Sequence, residues 1–335
     1  MKALFKRFER AVKSVLAPYP VAYEFAKRIK YEAECVILPL PRAYVRYFPL
    51  RTGKLFLFSR VIQHYLGKRS YPSVVKTCTG AKMECKLPDL LQSRVYFFGV
   101  WEPQITSFMR QRLSPGDTFI DVGANVGYYT LLAASIVGDN GKVCAIEASP
   151  SIFKRLQRNV SLNPFHNIQL LNVAASDRIG TLKIFLGPQN NSGLTTTDAG
   201  EAARHGNQLE AQVGARPLHA LVNEKTLLRV RLIKIDVEGA ELSVIRGIAR
   251  LLPSFCDRTE WVLEVNPEAL RSQGSCADEL LKCFRDAGYK LYVISNDYSN
   301  DDYVSPPKTY RLTELNGLPE RQVDIVASKQ IPSVA

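Results

Sequence analysis

The sequence predicts an α/β fold in which a doubly wound, mostly parallel sheet holds a ligand at the carboxyl ends of its strands. Two apolar runs support this prediction, because each has the pattern of a buried strand that ends in acidic residues and glycine. They are residues 117–127, DTFIDVGANVG, and residues 232–241, LIKIDVEGAE. Strand and helix patterns also alternate regularly from residue 117 onward, which is typical of parallel sheets.

The pattern after residue 117 predicts the elements of this sheet in order. Short apolar runs alternate with segments whose apolar residues recur at helical spacing. The predicted strands are 118–122, 142–147, 168–174, 231–236, 260–265, 290–295 and 323–328. The predicted helices are 127–137, 150–162 and 275–287. Two further runs, 181–186 and about 210–218, predict a β excursion around segment 187–208, which is too polar for a core.

Two regions precede the sheet. The first reads as helices punctuated by Pro39, Pro41 and Pro49. The second contains a hairpin signal, with two β-like runs around Thr79 and Gly80, and then a helix that ends near Arg112. We therefore expect a basic helical N-terminal appendage at 1–70, a β-hairpin and lead-in helix at 71–116, and the main domain at 117–330.

Composition limits the possible classes of protein. A chain of 335 residues with 46% hydrophobic residues suits one large domain with an appendage, or two unequal domains. Seven cysteines without a C-x-x-C pair argue against a disulfide framework and a zinc knuckle. No apolar run is long enough for a membrane span, and a charged start with Pro18 and Pro20 argues against a signal peptide. We expect a reduced, cytoplasmic protein.

The net charge of +12 is concentrated in one part of the chain. Residues 1–110 carry 20 Lys and Arg against 7 Asp and Glu, whereas residues 111–335 carry 24 against 25. Such a region suits nucleic acid, anionic lipid or an acidic glycan, or serves only to solubilise the appendage. Apolar residues recur at helical spacing within 5–16, so this segment predicts an amphipathic helix. Peripheral contact with the inner face of an anionic membrane and docking on the main domain both remain open.

The turn after the first predicted strand has the features of a nucleotide-like binding site. Gly123 and Gly127 allow a tight turn and a close approach of ligand to backbone amides at the start of a helix, whose dipole favours a carboxylate. Glu147 ends the second predicted strand. A carboxylate at that position commonly accepts hydrogen bonds from the two hydroxyls of a ribose.

Two residues in this turn argue against a dinucleotide. A G-x-G-x-x-G fingerprint that starts at Gly123 would need glycine at position 125 and glycine or alanine at position 128, but the chain has Asn125 and Tyr128. Pyrophosphate would fit poorly there. S-adenosylmethionine carries a ribose and a carboxylate but no phosphate, so the spacing favours it over NAD.

Five motifs resemble the FkbM family of S-adenosylmethionine-dependent methyltransferases. The resemblance extends over roughly residues 75–330, and its most specific part is the KIDVEGAE signature. The motifs are 98–103 (FGVWEP), 121–130 (DVGANVGYYT), 147–150 (EASP), 159–163 (NVSLN) and 234–241 (KIDVEGAE). Residues 1–70 lie outside the resemblance, which therefore does not explain them.

The resemblance implies a class I methyltransferase fold, Rossmann-like, with a seven-stranded sheet whose last strand is antiparallel. It also implies O-methylation of a hydroxyl group on a glycan, a glycolipid or a secondary metabolite. Glu147 would bind the cofactor's ribose, and Ser176 with Asp177 would contact its adenine. The residues implied at the methionine end are Asp121, Gly123, Asn125 and Gly127.

Acidic residues at two strand ends form the candidate catalytic cluster. Asp236 and Glu238 follow one predicted strand, and Glu264 with Asn266 lies at the end of the next. Oxygen ligands from Asp236, Glu264 and Asn266 would suit Mg²⁺, which would polarise an acceptor hydroxyl. Alternatively, Asp236, Glu238 and Glu264 act as a metal-free general base, or the acids merely favour a helix N-terminus.

Other function classes remain open at this point. A nucleic-acid methyltransferase would use the basic N-terminal region, but the near-neutral main domain argues against nucleic acid as a partner. An NAD-binding oxidoreductase and a binding module without catalysis are further alternatives. We expect a small-molecule or glycan acceptor, which the sequence does not identify because acceptor pockets lie on variable loops.

Overall fold

The computed structural model describes residues 39–48, 53–58, 72–87, 89–296, 300–307 and 309–330. The chain divides into two compact units, Met1–Leu66 and Gly67–Ala335. In these described ranges, no helix is both long and apolar enough to cross a bilayer.

The described part of the first unit contains helix α1, Pro39–Tyr47, and the short helix α2, Lys54–Phe56. Helix α1 begins at Pro39, and Pro41 also lies in its first turn. Amide groups of a first turn have no partner within the helix, so proline is tolerated there. Pro49 and the predicted amphipathic helix at 5–16 lie outside the described residues.

The second unit begins with a hairpin and two helices. Strands β1, Pro72–Lys76, and β2, Lys82–Lys86, pair in antiparallel register. This pairing confirms the predicted hairpin, although each strand begins slightly closer to the N-terminus than its predicted run. Helix α3, Leu90–Phe98, begins at an Asp89 cap whose carboxylate accepts a hydrogen bond from the Gln92 amide. The sequence pattern missed this helix, because its apolar residues show little helical periodicity. Helix α4, Pro103–Arg112, leads into the sheet.

The described residues of this unit form eleven further strands. They are β3 (Thr118–Val122), β4 (Lys142–Ile146), β5 (Ile168–Leu171), β6 (Ala174–Ala175), β7 (Gly180–Leu186), β8 (Gln208–Arg216), β9 (Leu232–Ile235), β10 (Glu260–Val265), β11 (Lys290–Ile294), β12 (Leu312–Glu314) and β13 (Val323–Ser328). The main sheet has the order β12-β11-β13-β10-β9-β3-β4-β5.

The topology confirms the doubly wound, mostly parallel sheet. Strands β10, β9, β3, β4 and β5 are parallel neighbours, and β13 is antiparallel to β10 and β11. Seven of the strands thus form the predicted class I methyltransferase arrangement, with its last strand antiparallel. The short β12 adds an eighth strand at the edge, which the sequence analysis did not predict.

Of the remaining helices, the three that the sequence predicts, at 127–137, 150–162 and 275–287, begin and end within two residues of the predicted positions. The longer ones are α5 (Tyr128–Val137), α6 (Pro150–Ser161), α7 (Ala199–His205) and, after four short helices, α12 (Ala277–Asp286). The short ones are α8 (Leu218–Leu221), α9 (Glu224–Leu227), α10 (Glu241–Arg246), α11 (Pro267–Ser272) and, near the C-terminus, α13 (Asn300–Val304). On one face, Trp261 packs edge-on against Phe255 and Phe284, and all three side chains are buried.

The predicted β excursion is a small separate sheet in which β8 pairs with β6 and β7. The prediction that segment 187–208 is too polar to be buried is wrong for Ser192 and Thr196, which are 8% and 5% exposed. Both are buried because their polar groups have hydrogen-bond partners. The segment also contains helix α7, so part of it is regular secondary structure.

Candidate functional site

A cavity of about 350 Å³ opens at the carboxyl ends of β3, β4 and β9. It lies where the strand order reverses between β3 and β9, the position at which open α/β sheets bind ligands. The β excursion forms its other side, through residues of β6, β7 and the segment after β7. The volume is in the range of small-molecule sites.

The turn after β3 forms one wall, and Gly123 and Asn125 line the cavity. Both have a left-handed backbone, with φ of 82° and 49°. A Cβ atom at position 123 would lie 1.8 Å from the Asp236 carbonyl oxygen. Glycine is therefore required here by close packing against the end of β9, in addition to any approach of a ligand.

Glu147, at the end of β4, faces the same cavity and is 7% exposed. Its two carboxylate oxygens accept hydrogen bonds from the Asn125 amide at 2.9 Å and the Ser149 amide at 2.8 Å. Each oxygen keeps a second acceptor position for a ligand hydroxyl. Burial raises the pKa of Glu147 to about 7, although the two amide hydrogen bonds work in the opposite direction.

Ser176 and Asp177 line the far end of the cavity, beyond β6. The Ser176 hydroxyl lies 3.3 Å from the Ser243 hydroxyl and 3.2 Å from an Asp177 carboxylate oxygen. Both residues that the resemblance assigns to adenine thus line this cavity.

The structure places Asp121 and Gly127 behind the cavity wall. Asp121 is 1% exposed and accepts a hydrogen bond from the Thr130 hydroxyl at 2.6 Å. Burial raises the pKa of Asp121 to about 6, against the effect of the nearby Lys234 ammonium. Gly127 starts helix α5 and packs against Leu156, which leaves no room for a Cβ atom. Both residues shape the turn, and neither lines the cavity.

Three carboxylates gather at the ends of β9 and β10. One oxygen from each of Asp236, Glu238 and Glu264 can be chosen so that all three lie within 4.8 Å of one another. Asp236 and Glu238 line the cavity, while Glu264 lies behind them and accepts a hydrogen bond from Gln322. The predicted acidic cluster therefore exists as a spatial group.

Lys234 is the cation next to this cluster. Its ammonium lies 2.7 Å from an Asp236 oxygen and 4.9 Å from the centre of the Tyr129 ring. Burial alone would lower the pKa of Lys234, but the neighbouring Asp236, Glu102 and Asp121 carboxylates raise it above its ordinary value.

The two glutamates are in a different electrostatic environment. Burial, followed by the charge of Asp236, raises the pKa of Glu238 well above its usual range. Burial and the neighbouring Asp236 and Glu238 charges do the same for the pKa of Glu264.

The structure gives Asn266 a role other than the predicted metal ligand. Its amide oxygen accepts hydrogen bonds from the Glu268 and Ala269 amides and so caps helix α11. Its amide nitrogen points to Gln322. Its oxygen is thus engaged as a helix cap, and the acidic side chains whose oxygens lie together are Asp236, Glu238 and Glu264.

Sequence reasoning missed the contribution of the polar segment after β7. Ser192, Gly193, Thr195 and Thr196 all line the cavity. The signal was the Asn190-Asn191-Ser192-Gly193 cluster, which marks a turn. A turn signal does not reveal which part of the fold the turn faces.

A family model, the methyltransferase FkbM domain, matches residues 121–291 of this chain. The match begins at the last strand residues before the Gly123 turn and includes every cavity-lining residue described above.

Curated relatives are also methyltransferases by name. Methyltransferase 1 of Beauveria bassiana is 31% identical over 149 residues, which are 40% of this chain and 59% of the relative. Hexuronic acid methyltransferase AglP of Haloferax volcanii is 24% identical over 206 residues, which are 58% of this chain and 78% of the relative. The chain matches 59% and 61% of the length of the first two curated relatives.

Among solved structures, a SAM-dependent O-methyltransferase from Thermotoga maritima is similar to this chain. The two are 15% identical, with a TM-score of 0.38, and the alignment covers 77% of this chain and 78% of the other.

Proposed function

Because the chain belongs to the FkbM methyltransferase domain family, we propose that it is an S-adenosylmethionine-dependent O-methyltransferase acting on a hydroxyl of a glycan, glycolipid or secondary metabolite. One observation carries the proposal: the ribose-type carboxylate Glu147 and the acidic pair Asp236 and Glu238 line a single cavity. Cofactor and acceptor would therefore meet within one site.

The residues present fit this cofactor. Glu147 keeps one acceptor position on each oxygen, which matches the two hydroxyls of a ribose. Ser176 and Asp177 supply polar groups for an adenine edge at the other end of the cavity. A dinucleotide fits less well, because Asn125 occupies a position where the dinucleotide fingerprint requires glycine.

The cofactor would supply a methyl group that its sulfonium has already activated. The protein must then orient the acceptor oxygen and remove its proton. Asp236 suits the second task, because Lys234 holds its Oδ2 at 2.7 Å while Oδ1 has no hydrogen-bond partner among the described residues. Glu238, whose pKa burial raises well above its usual range, lines the same cavity and would hydrogen-bond a second oxygen of the acceptor.

A divalent cation is the alternative activator at the same cluster. Three carboxylates are ligands of the type that Mg²⁺ prefers, and a bound cation would ionise Glu238 and Glu264. It would polarise the acceptor hydroxyl directly. The two versions differ in one measurable way, because only the cation version loses activity in EDTA and regains it with Mg²⁺.

The acceptor class follows from the polarity of the cavity. Ser192, Thr195 and Thr196 line it together with the acids, and this polar lining suits an acceptor rich in hydroxyls. The hexuronic acid methyltransferase of Haloferax volcanii supports a sugar-type acceptor. A nucleic-acid acceptor is the second candidate, for which the basic residues of 1–110 are the only support.

A binding experiment followed by a transfer assay tests this assignment. Isothermal titration should show saturable binding of S-adenosylmethionine and no binding of NAD. A transfer assay with labelled cofactor should then place label on glycan or polyol acceptors and not on RNA. Labelled RNA would favour the second candidate, and NAD binding without S-adenosylmethionine binding would overturn the proposal.

The first unit supports a further proposal, peripheral contact with an anionic membrane surface. Leu40, Tyr47 and Phe56 are 72%, 68% and 67% exposed, and α1 also carries Arg42 and Arg46. Exposed aromatic and apolar groups beside arginines suit a membrane interface. The full chain should sediment with vesicles containing phosphatidylserine at low salt and less with neutral vesicles. Absence of binding to either vesicle would contradict the proposal.

A further inference from the structure

We propose that Asp89 and Ser192 form a clasp that holds residues 190–197, here called the strap, against the cofactor cavity. Asp89 is thus a positioning residue for the cofactor and for the acid Glu238. The inference rests on the proposed function, and it concerns a residue that lies before the matched region 121–291. It implies that the lead-in segment completes the site.

The clasp is a buried group of charge-assisted hydrogen bonds. One Asp89 oxygen caps helix α3 by accepting from the Gln92 amide at 3.0 Å. The other accepts from the Ser192 amide at 2.9 Å and from the Ser192 hydroxyl at 2.6 Å. Asp89 is 2% exposed. A buried carboxylate that accepts three donors forms strong hydrogen bonds, because water does not compete for them.

A backbone hydrogen bond strengthens the same junction. The Leu90 amide donates to the Asn190 carbonyl at 3.0 Å. The first turn of helix α3 therefore holds two consecutive parts of the strap, through a side chain and through the backbone. The amide of Leu90 is among those that a helix leaves without an internal partner.

The strap connects the two halves of the proposed site. The Ser192 hydroxyl lies 3.3 Å from the Asn125 amide oxygen in the turn after β3. The Thr196 hydroxyl donates to the Glu238 carbonyl at 3.5 Å. A Cβ atom added at Gly193 would lie 3.7 Å from a Glu238 carboxylate oxygen. The strap is therefore close to the cofactor turn and to the candidate acid.

Other contacts tie the strap only to the β excursion. Thr196 pairs with Phe185 of β7 in an isolated bridge, and the Asn207 side chain donates to the Leu194 carbonyl at 2.7 Å. These contacts would persist if the clasp opened. Outside the β excursion, the shortest side-chain hydrogen bonds of the strap are those to Asp89, at 2.6 and 2.9 Å.

The substitution Asp89→Asn tests the clasp with little change in shape. The two functions use different carboxylate oxygens, one that caps α3 and one that accepts from Ser192. Asparagine has only one side-chain oxygen, so its NH₂ group would face hydrogen-bond donors at the other position. We expect the dissociation constant for S-adenosylmethionine to rise about tenfold, since hydrogen bonds to charged groups contribute at least that much. Ser192→Ala should raise it by a smaller factor, and Ser192→Thr should restore binding because threonine keeps the hydroxyl.

The matched control is Asp117→Asn. Asp117 also uses a carboxylate oxygen to accept a backbone hydrogen bond, from the Ser114 amide at 2.8 Å. It precedes β3, at the end of the strand opposite the cavity. This variant should bind the cofactor with parental affinity. Asp89→Asn combined with Ser192→Ala should bind no more weakly than Asp89→Asn alone, because both changes remove the same contact.

Hydrogen exchange supplies a readout that needs no ligand. In Asp89→Asn, amides of residues 190–197 should exchange faster than in the parent, while amides of β3 and β9 keep their protection. This measurement separates the two proposals, since it can succeed even if the parent binds no S-adenosylmethionine. Unchanged exchange in the strap, or parental cofactor affinity in Asp89→Asn, would overturn the clasp. If Asp89→Asn does not fold, unchanged strap exchange in Ser192→Ala overturns it instead.

Discussion

The pKa of Glu147 allows a quantitative test of cofactor binding, because a value of about 7 lies within the accessible pH range. Its ionised carboxylate can accept two ribose hydroxyls in addition to its two amide hydrogen bonds, whereas the protonated form has lost an acceptor. Affinity for S-adenosylmethionine should therefore rise as the pH rises through about 7. The sign follows from burial, which raises the pKa of the free protein above that of an exposed glutamate.

The size of the effect follows from the ionised fraction. With a pKa of about 7, roughly a tenth of Glu147 is ionised at pH 6 and about nine tenths at pH 8. The dissociation constant should then fall by up to about tenfold between these two pH values. Binding near neutral pH should also release protons, because ribose hydroxyls stabilise the ionised carboxylate.

The assay is isothermal titration at several pH values, repeated in buffers with different ionisation enthalpies to count released protons. Glu147→Gln should bind weakly and should flatten the pH dependence. Glu210→Gln is the matched control, since Glu210 accepts hydrogen bonds from Ser149 and Ser151 nearby. A Glu147→Gln protein with parental affinity and the parental pH profile would refute the ribose assignment.

Three further predictions test the site and its support. Asp236→Asn should lower the rate of methyl transfer by about a hundred to ten thousand fold and leave cofactor affinity unchanged. Steady-state kinetics and titration measure the two quantities. A parental rate would show that Asp236 has only a structural role. Gly123→Ala should destabilise the fold, because its Cβ atom would lie 1.8 Å from the Asp236 carbonyl oxygen. The midpoint of thermal unfolding should therefore fall, and an unchanged midpoint would contradict the packing argument. Lys234→Met should cost about 3 kcal/mol in urea unfolding, because it removes the ion-pair partner of Asp236 and the favourable charge beside buried Asp121. A loss below about 1 kcal/mol would contradict this and show that Asp121 simply becomes protonated.

The sequence alone was sufficient where local pattern and burial agree. Strands 118–122, 260–265 and 323–328 have the predicted bounds, since each is a mainly apolar run that is buried along most of its length. The place of the site also followed from sequence, because the carboxyl ends of parallel strands converge at one edge whatever the side chains are. Helix α3 was missed because most of its side chains are buried on all sides, which removes the amphipathic period.

The roles of individual side chains depended on tertiary structure. The sequence predicts Asn266 as a metal ligand, yet its amide oxygen caps the first turn of α11. Asp89 and Ser192 are 103 residues apart and carry no motif, so only the folded chain brings them into hydrogen-bond contact. Local sequence determines strand and helix because backbone hydrogen bonds and periodic burial act over a few residues. The contacts that give a polar side chain its function come from distant segments, and only packing of the whole domain decides which segments meet.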